Sequence, residues 1–498
     1  MKGYNFDTAS RQSVKGIVVI FGLNIYKVLK AIVIGAAAYA IEIFKSDKGI
    51  NIININVIFI VISIVLYFLI LATLKYLNFK FYINQKHFIL KEGILNKEET
   101  SIAISKIQNV YIKQNLIQQI INVVSLSVET AGDNITEIEI KALPKAKAVA
   151  LKTILLSDSN IAPKDSNVTK AANSIYYKAS YKKLLLEGIS ENHLKSLGFV
   201  IAFIVGLYDS FKDLITHFKF TSRFNTYFLL DQQSLFGLVL LNIALLILFL
   251  VIAFLFSLVK TMIQNFNLTV YRKKDGLEIS KGLFNKISLG LVSSRIQNTT
   301  ISTNKFKKML GLYKLSFTQA MVNKKQQQKF NIIGLSKIQI NELINTFYPN
   351  VFLALNKYKP NRYFILRAAF GCLFALLLVN IPIFFAPIGL LFLNIPIIIL
   401  LTCNVIYAYR KAYYSVNDHY IVVGSGKFVD TNTSFLETHK MQSVALKQTI
   451  FQKRRDLATI KIYSASKALT ILHIEIKMAR NIYNFLLYKV ESEDKDWM

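Results

Sequence analysis

The sequence predicts an α+β membrane protein. It should hold six transmembrane helices in three hairpins, alternating with three small β-barrel or sandwich modules, each closed by a C-terminal helix. Three observations predict this. Apolar residues make up 53% of the 498, and mean hydropathy is +0.39, both high for a soluble chain. Charge-free apolar runs are long enough to cross a bilayer, which takes about 20 residues. One strand-like segment recurs three times: "SKIQNVYIKQNLIQQIINVVSLSVETAG" from Ser105, "SRIQNTTISTNKFKKMLGLYKLSFTQAM" from Ser294, and "KMQSVALKQTIFQKRRDLATIKIYSASK" from Lys440.

The clearest spans are 235–259 and 57–74. Residues 364–381 and 387–408 flank Pro382 and Pro387, where the chain can turn back as a hairpin. Two weaker spans lie at 25–44, which holds Lys27, Lys30 and Glu42, and at 195–211. The first also fits a signal peptide cleaved near Ala38-Tyr39-Ala40, but Lys27 and Lys30 interrupt the apolar core such a peptide needs. The resulting order is hairpin 1–74, module 75–158, connector 159–193, hairpin 194–259, module 260–350, hairpin 351–408 and module 409–498.

Paired spans return the chain to its starting side, so all three modules share one compartment. The net charges of 75–193, 260–363 and 409–498 are +5, +15 and +5, while the loop 212–234 carries +1. Cytoplasmic segments are the ones enriched in Lys and Arg, so the modules and both termini should be cytoplasmic. The whole-chain charge of +31 suits an anionic neighbour, although a Lys-rich composition and the topology rule account for much of it.

The first two copies align without a gap from Gly93–Gly132 to Gly282–Met321, with twelve identities in 40 positions. A period this long means a duplicated domain. Alternating segments around Asn84-Gln85-Lys86, Lys274-Asp275-Gly276 and Asn417-Asp418 read as hairpins. Gly93, Gly282 and Gly426 follow the second strand, where a tight bend or positive φ is expected. About seven short strands per copy precede a helix, whose start in the second copy shows a Ser336…Gln339 capping box.

The order carried by Tyr82, Gly93, Ile107, Gln108, Asn109, Gln114, Leu116, Leu126, Thr130, Ala131 and Gly132 resembles the bacterial pleckstrin-homology-like (PH-like) domain of membrane proteins, the YdbT-like family. The resemblance covers the whole chain, in which paired spans alternate with three such domains. It implies a bacterial inner-membrane location, a role at the cell envelope, a one-domain relative as partner, and no defined reaction. The third copy has lost the glycine of Thr-Ala-Gly and carries Met441, followed by Gln442, where the first copy has Ile107 and Gln108.

No Walker loop, HExxH or nucleophile elbow occurs, and Ser and Thr lack a clustered His–Asp partner. Glu98-Glu99 reads as a solvated face. Cys372 and Cys403 lie in apolar runs and the six histidines lack metal-ligand spacing, so no cofactor or metal is expected. The signature Gly93, Ile107, Gln108, Asn109, Gly282, Ile296, Gln297, Asn298, Met441 and Gln442 reads as structural. Asn242, Asn380, Asn394 and Asn404 suit helix–helix contacts rather than transport. The candidate anionic-lipid contacts are Arg272, Lys273, Lys274, Lys305, Lys307 and Lys308. The expected role is a non-catalytic scaffold that contacts membrane lipid and binds a protein partner or itself. The rivals are a lipid-handling enzyme or flippase, which would need a polar cavity among the spans, and a nucleic-acid tether, disfavoured because few aromatics interleave with the lysines.

Overall fold

A computed structural model describes residues 4–26, 55–130, 138–157, 174–191, 193, 198, 235–273, 276–319, 330–353, 355–383 and 394–492. The chain divides into two compact units. The first comprises residues 1–174, 201–229 and 280–290; the second comprises 175–200, 230–279 and 291–498.

Within the first unit, helix α1 (Gly16–Tyr26) precedes α2 (Ile55–Asn78). Strands β1 (Lys80–Asn84), β2 (His87–Glu92) and β3 (Glu98–Ala103) then form an antiparallel meander, with β3 at its edge. A 3-10 turn, Ile104–Lys106, leads to β4 (Ile107–Gln114), the short helix α3 (Leu116–Ile120), β5 (Val124–Thr130) and β6 (Ile138–Leu143). The helix α4 (Lys145–Ser157) packs on β4 and β5. Strand alternation sends Phe81, Phe88, Leu90, Ile107, Leu126 and Ile140 into one core, which Leu151 of α4 closes. Residues 286–288, the start of β10 (Lys286–Val292), extend this sheet by pairing with β4, Lys286 opposite Gln114.

The second unit holds β7 (Ser174–Lys178), α5 (Tyr181–Ile189), α6 (Leu235–Gln264), β8 (Thr269–Lys273) and β9 (Gly276–Lys281). After the turn Ser293–Arg295 come β11 (Ile296–Asn304), α7 (Lys305–Met309), β12 (Tyr313–Gln319), β13 (Phe330–Leu335) and α8 (Lys337–Phe347). Two apolar helices follow, α9 (Tyr363–Ile383) and α10 (Asn394–Lys411). The third copy then gives β14 (Tyr413–Val416), β15 (Tyr420–Gly426), β16 (Asp430–Glu437), the turn Thr438–Lys440, β17 (Met441–Lys447), α11 (Ile450–Lys453), β18 (Leu457–Ser464), β19 (Leu469–Glu475) and α12 (Ile476–Ser492). A six-stranded sheet runs β13-β12-β11-β16-β15-β14, so the second and third copies share one sheet. The third copy's other sheet is β17-β18-β19, with β17 at its edge. Helix α12 covers it over a core of Ile421, Leu436, Ile460, Ile462, Ile471 and Leu486.

The segment ahead of each hydrophobic hairpin belongs to the module that follows it. Ser10 and Phe81 exchange both backbone hydrogen bonds at 2.9 Å, as do Tyr358 and Tyr414. In the second copy this contribution is a full strand, β7, beside β8. Residues 174–178, read from sequence as connector, are therefore the first strand of the second module. Counting it, that module reaches seven strands.

Helices α2, α6, α9 and α10 occupy four of the six expected spans. Among the described residues, only Ile247–Gln264 is long and apolar enough by itself to be a candidate span; shorter apolar helices lie at Gly16–Tyr26, Ile62–Asn78 and Tyr363–Leu378. Of the six expected spans, one is therefore a candidate by itself among the described residues. Helix α10 ends on Arg410 and Lys411, and residues 384–393 ahead of it lie outside the described residues. The expected spans at 25–44 and 195–211 lie outside the described residues apart from Ile25, Tyr26 and Gly198. The expected helix–helix role is realised by Asn380 and Asn394, whose side-chain amides exchange hydrogen bonds of 2.9 and 2.7 Å between α9 and α10.

Candidate membrane-facing site

The repeat signature builds each module's bend. Strand pairing skips a residue between Ile107 and Asn109, between Ile296 and Asn298, and between Met441 and Ser443. Gln108, Gln297 and Gln442 are thus the extra residues of three equivalent β-bulges, which kink the strand. Ile107, Ile296 and Met441 are buried beside them. Gly93 and Gly282 adopt φ of 109° and 110°, and a Cβ there would lie 1.8 Å from the Asn96 carbonyl oxygen and 2.1 Å from that of Asn285. Gly426 keeps an ordinary φ, but a Cβ there would lie 2.5 Å from the Asp430 oxygen. Asn298 donates to the Ser464 and Ser466 hydroxyls and the Lys467 carbonyl, tying the second copy to the third.

A short helix follows the bulged strand in every copy. Its N-cap is Asn115, Asn304 or Thr449, each accepting from the backbone N–H three residues on. In the first and third copies Gln118 and Gln452 complete the capping box by accepting from the cap's own N–H. These helices carry large apolar side chains into solvent. Ile120 is 82% exposed, Met309 84% and Ile450 74%, with Leu116, Phe306, Leu310 and Phe451 exposed beside them. Such exposed apolar residues thus recur on the same element in all three copies.

Each short helix stands at the foot of an apolar helix. Ile117 of α3 packs on Gly22 of α1, where a Cβ would come within 2.9 Å of it, and Lys15 Nζ donates to the Ile121 carbonyl. On α7, Lys305 Nζ lies 4.8 Å from the ring centre of Tyr407 in the last turn of α10. Behind α11, Arg455 lies 4.7 Å from the ring of Tyr363, the first residue of α9. Tyr and Lys or Arg pairs at the ends of apolar helices are the side chains that settle at a bilayer's headgroup level.

The third position of the short helix is buried in all three copies. Gln118 donates to the Lys141 carbonyl at 2.7 Å. Gln452 donates to the Thr459 hydroxyl at 2.8 Å and to His473 Nδ1 at 2.9 Å. The second copy has Lys307 there, bonded to Glu187 at 2.5 Å and Glu191 at 2.9 Å. Glu187 is fully buried. Burial pushes its carboxyl above the usual range, against the pull of the Lys307 ammonium. Burial also works against the charged Lys307, but the two carboxylates outweigh it and hold its pKa above the ordinary lysine value.

This corrects Lys307 as a lipid contact: its ammonium is spent on a buried ion pair. Arg272 meets Glu342 at 3.4 Å and Lys273 meets Glu278 at 2.6 Å, both partly in solvent, and Lys274 lies outside the described residues. Lys308 is exposed. The structure brings Lys305, Lys307 and Lys308 together on α7 and leaves Arg272 and Lys273 at a separate hairpin. Sequence reasoning missed the exposed apolar residues of the short helices. Their signal was present as an apolar pair directly behind the cap in "NLIQQI" and "TIFQK", and as Phe306, Met309 and Leu310 set among lysines in "NKFKKML". No group of His, Cys, Asp and Glu that could hold a metal occurs among the described residues.

Comparison with known proteins agrees with this architecture. The family model described as bacterial PH domain matches residues 28–159, 199–350 and 365–490. The UPF0699 transmembrane protein YdbT of Bacillus subtilis (strain 168) is 23% identical over 432 residues, covering 82% of this chain and 84% of its own. No solved structure matches. With three segments that together span most of its length, the chain belongs to the bacterial PH domain family.

Proposed function

We propose that the protein is a multi-pass scaffold of the bacterial inner membrane. In this reading three hairpins hold three PH-like modules on the cytoplasmic face, where they bind lipid headgroups and protein and catalyse no reaction. One observation carries it: in every copy the same short helix exposes apolar residues at the foot of an apolar helix. Burying an Ile or Met side chain in the acyl boundary is worth about 1.5–3 kcal/mol. A basic residue near an anionic leaflet adds about 1 kcal/mol. Lys305 and Lys308 on α7, and Lys453, Arg454 and Arg455 on and just after α11, supply that charge. With the modules already tethered, these contacts orient them instead of recruiting them. The relative's name, a transmembrane protein, supports the location.

An environment-sensitive fluorophore on Met309→Cys, in a background lacking Cys372 and Cys403, tests the reading in liposomes containing anionic lipid. The expected result is blue-shifted emission that lipid-borne nitroxides quench. Water-like emission without quenching would overturn the lipid contact.

A further inference from the structure

Successive modules are joined by one repeated device. The fourth strand of a copy, β4 or β11, pairs antiparallel with the third strand of the next copy, β10 or β16. The three 3-10 turns fix which residues correspond: Ile104–Lys106, Ser293–Arg295 and Thr438–Lys440. By that correspondence Gln114, Thr303 and Gln448 are equivalent, and so are Lys97, Lys286 and Thr431. The first junction sets Gln114 opposite Lys286, and the second sets Thr303 opposite Thr431. The two junctions therefore share strand, direction and register.

A head-to-tail device used twice in three copies leaves one half unused at each end. Strand β3 of the first copy pairs only with β2, and β17 of the third copy pairs only with β18, among the described residues. Thr299, on the paired β11, is fully buried, whereas its equivalent on β17, Val444, is half-buried, and Gln442, Ser443 and Lys447 are exposed. Open edges of this kind are templates for another strand.

We infer that a second copy of this chain occupies them, β17 of one chain pairing with β3 of the next. The inference rests on the scaffold reading and names its partner. Transferring the shared register sets Lys447 opposite Glu98, Ala445 opposite Thr100 and Val444 opposite Ser101. The first of these opposes unlike charges, the arrangement favoured across strands. The contact between chains lacks one part of the internal junction. Ser443 stands where Asn298 reaches three partners on the following copy, so the association is reversible and depends on concentration. A heterologous contact of this type generates rings or open chains of subunits.

The test uses full-length chains in liposomes, with Cys372 and Cys403 replaced by Ala. One preparation carries only Thr100→Cys and another only Ala445→Cys, so a disulfide between the two can form only across chains. The pair Ser101→Cys and Val444→Cys is run alongside, since directly opposed residues lie about 4.5–5.5 Å apart at Cα and only some pairs suit a disulfide. Cross-chain dimers are expected from at least one opposed pair and not from the shifted pair Thr100→Cys with Val444→Cys. Lys447→Glu should slow their formation about 2–5-fold, and adding Glu98→Lys on the partner preparation should restore it. No cross-chain dimer from either opposed pair, or equal yield from the shifted pair, would overturn the inference. The fluorophore at Met309 reads the lipid contact independently, so either idea can fail alone.

Discussion

The short-helix corners of the second and third copies have the same backbone and opposite chemistry at one buried position. Gln452 satisfies the third copy's corner with neutral hydrogen bonds to Thr459 and His473. Lys307, equally buried, satisfies the second copy's corner with a charge held between Glu187 and Glu191. The carboxylates come from α5 and its end, the segment that leads toward the hydrophobic hairpin. Asn304, the cap of α7, also donates to the Ser190 carbonyl at 2.6 Å. A duplicated domain thus keeps its geometry while one copy converts a local cap into a charged clamp on α5. The difference teaches that burial, rather than the presence of charge, gives this lysine its job.

The largest effect follows from breaking that clamp. Lys307→Ala leaves Glu187 buried without its counter-charge, and Glu187 Oε2 already has no hydrogen-bond partner among the described residues. Removing one member of a buried pair costs about 3–5 kcal/mol. Chemical unfolding of the full chain in detergent should register that loss. The double change Lys307→Gln with Glu187→Gln imitates the neutral corners and should recover most of it. If the single change costs under about 1 kcal/mol, the pair is not a clamp and the contrast between the copies collapses.

A smaller loss is expected at the neutral corner. Gln452→Ala removes two buried donor bonds and the reciprocal half of the cap on Thr449. Leaving buried partners unsatisfied costs about 1–3 kcal/mol, so this variant should unfold earlier than wild type but later than Lys307→Ala. Equal losses at the two corners would mean that charge contributes nothing beyond shape.

Much of the framework was legible in the sequence because its signals are local. The bends at Gly93 and Gly282, the cap at Ser336 with Gln339 and the apolar helices each depend on a few adjacent residues. The three-fold repeat was legible because identical residues serve identical bulges. What stayed hidden depends on pairs far apart in the chain. Lys307 reads as one more surface lysine until Glu187, 120 residues earlier, is placed against it. Residues 174–178 read as connector because a strand that precedes the apolar helix α6 and pairs after it leaves no mark of its own. The candidate site was half legible. Lys305 and Lys308 were found by charge, whereas nothing in the sequence separates the exposed Ile120, Met309 and Ile450 from core residues.

The smallest effect separates the two corners by pH. His473 sits at φ 53°, at the bulge where the second copy has Gly334, and its ring packs edge-on to Tyr363 at 5.1 Å. Burial, helped by the positive charge of Arg367, lowers its pKa below the ordinary 6.5. The ring is then neutral in the folded protein at pH 7, and its Nδ1 accepts from Gln452. Protonation would set one donor against another. With the folded pKa depressed, the unfolded chain binds the proton first, so the corner's stability is complete above about pH 6.5 and is lost as pH falls through the lower folded value. The slope in that window is at most about 1.4 kcal/mol per pH unit for one proton. Glu187 is expected to contribute no such loss at its corner, because burial holds its carboxyl above the usual range and the folded state takes up that proton no later than the unfolded one. Melting of wild type and His473→Asn at pH 7.5 and 5.5 isolates the difference, since Asn tolerates the left-handed backbone, keeps an acceptor and does not titrate. Wild type should lose more on acidification than His473→Asn. An equal fall in both would move the acid sensitivity elsewhere and leave His473 a packing residue only.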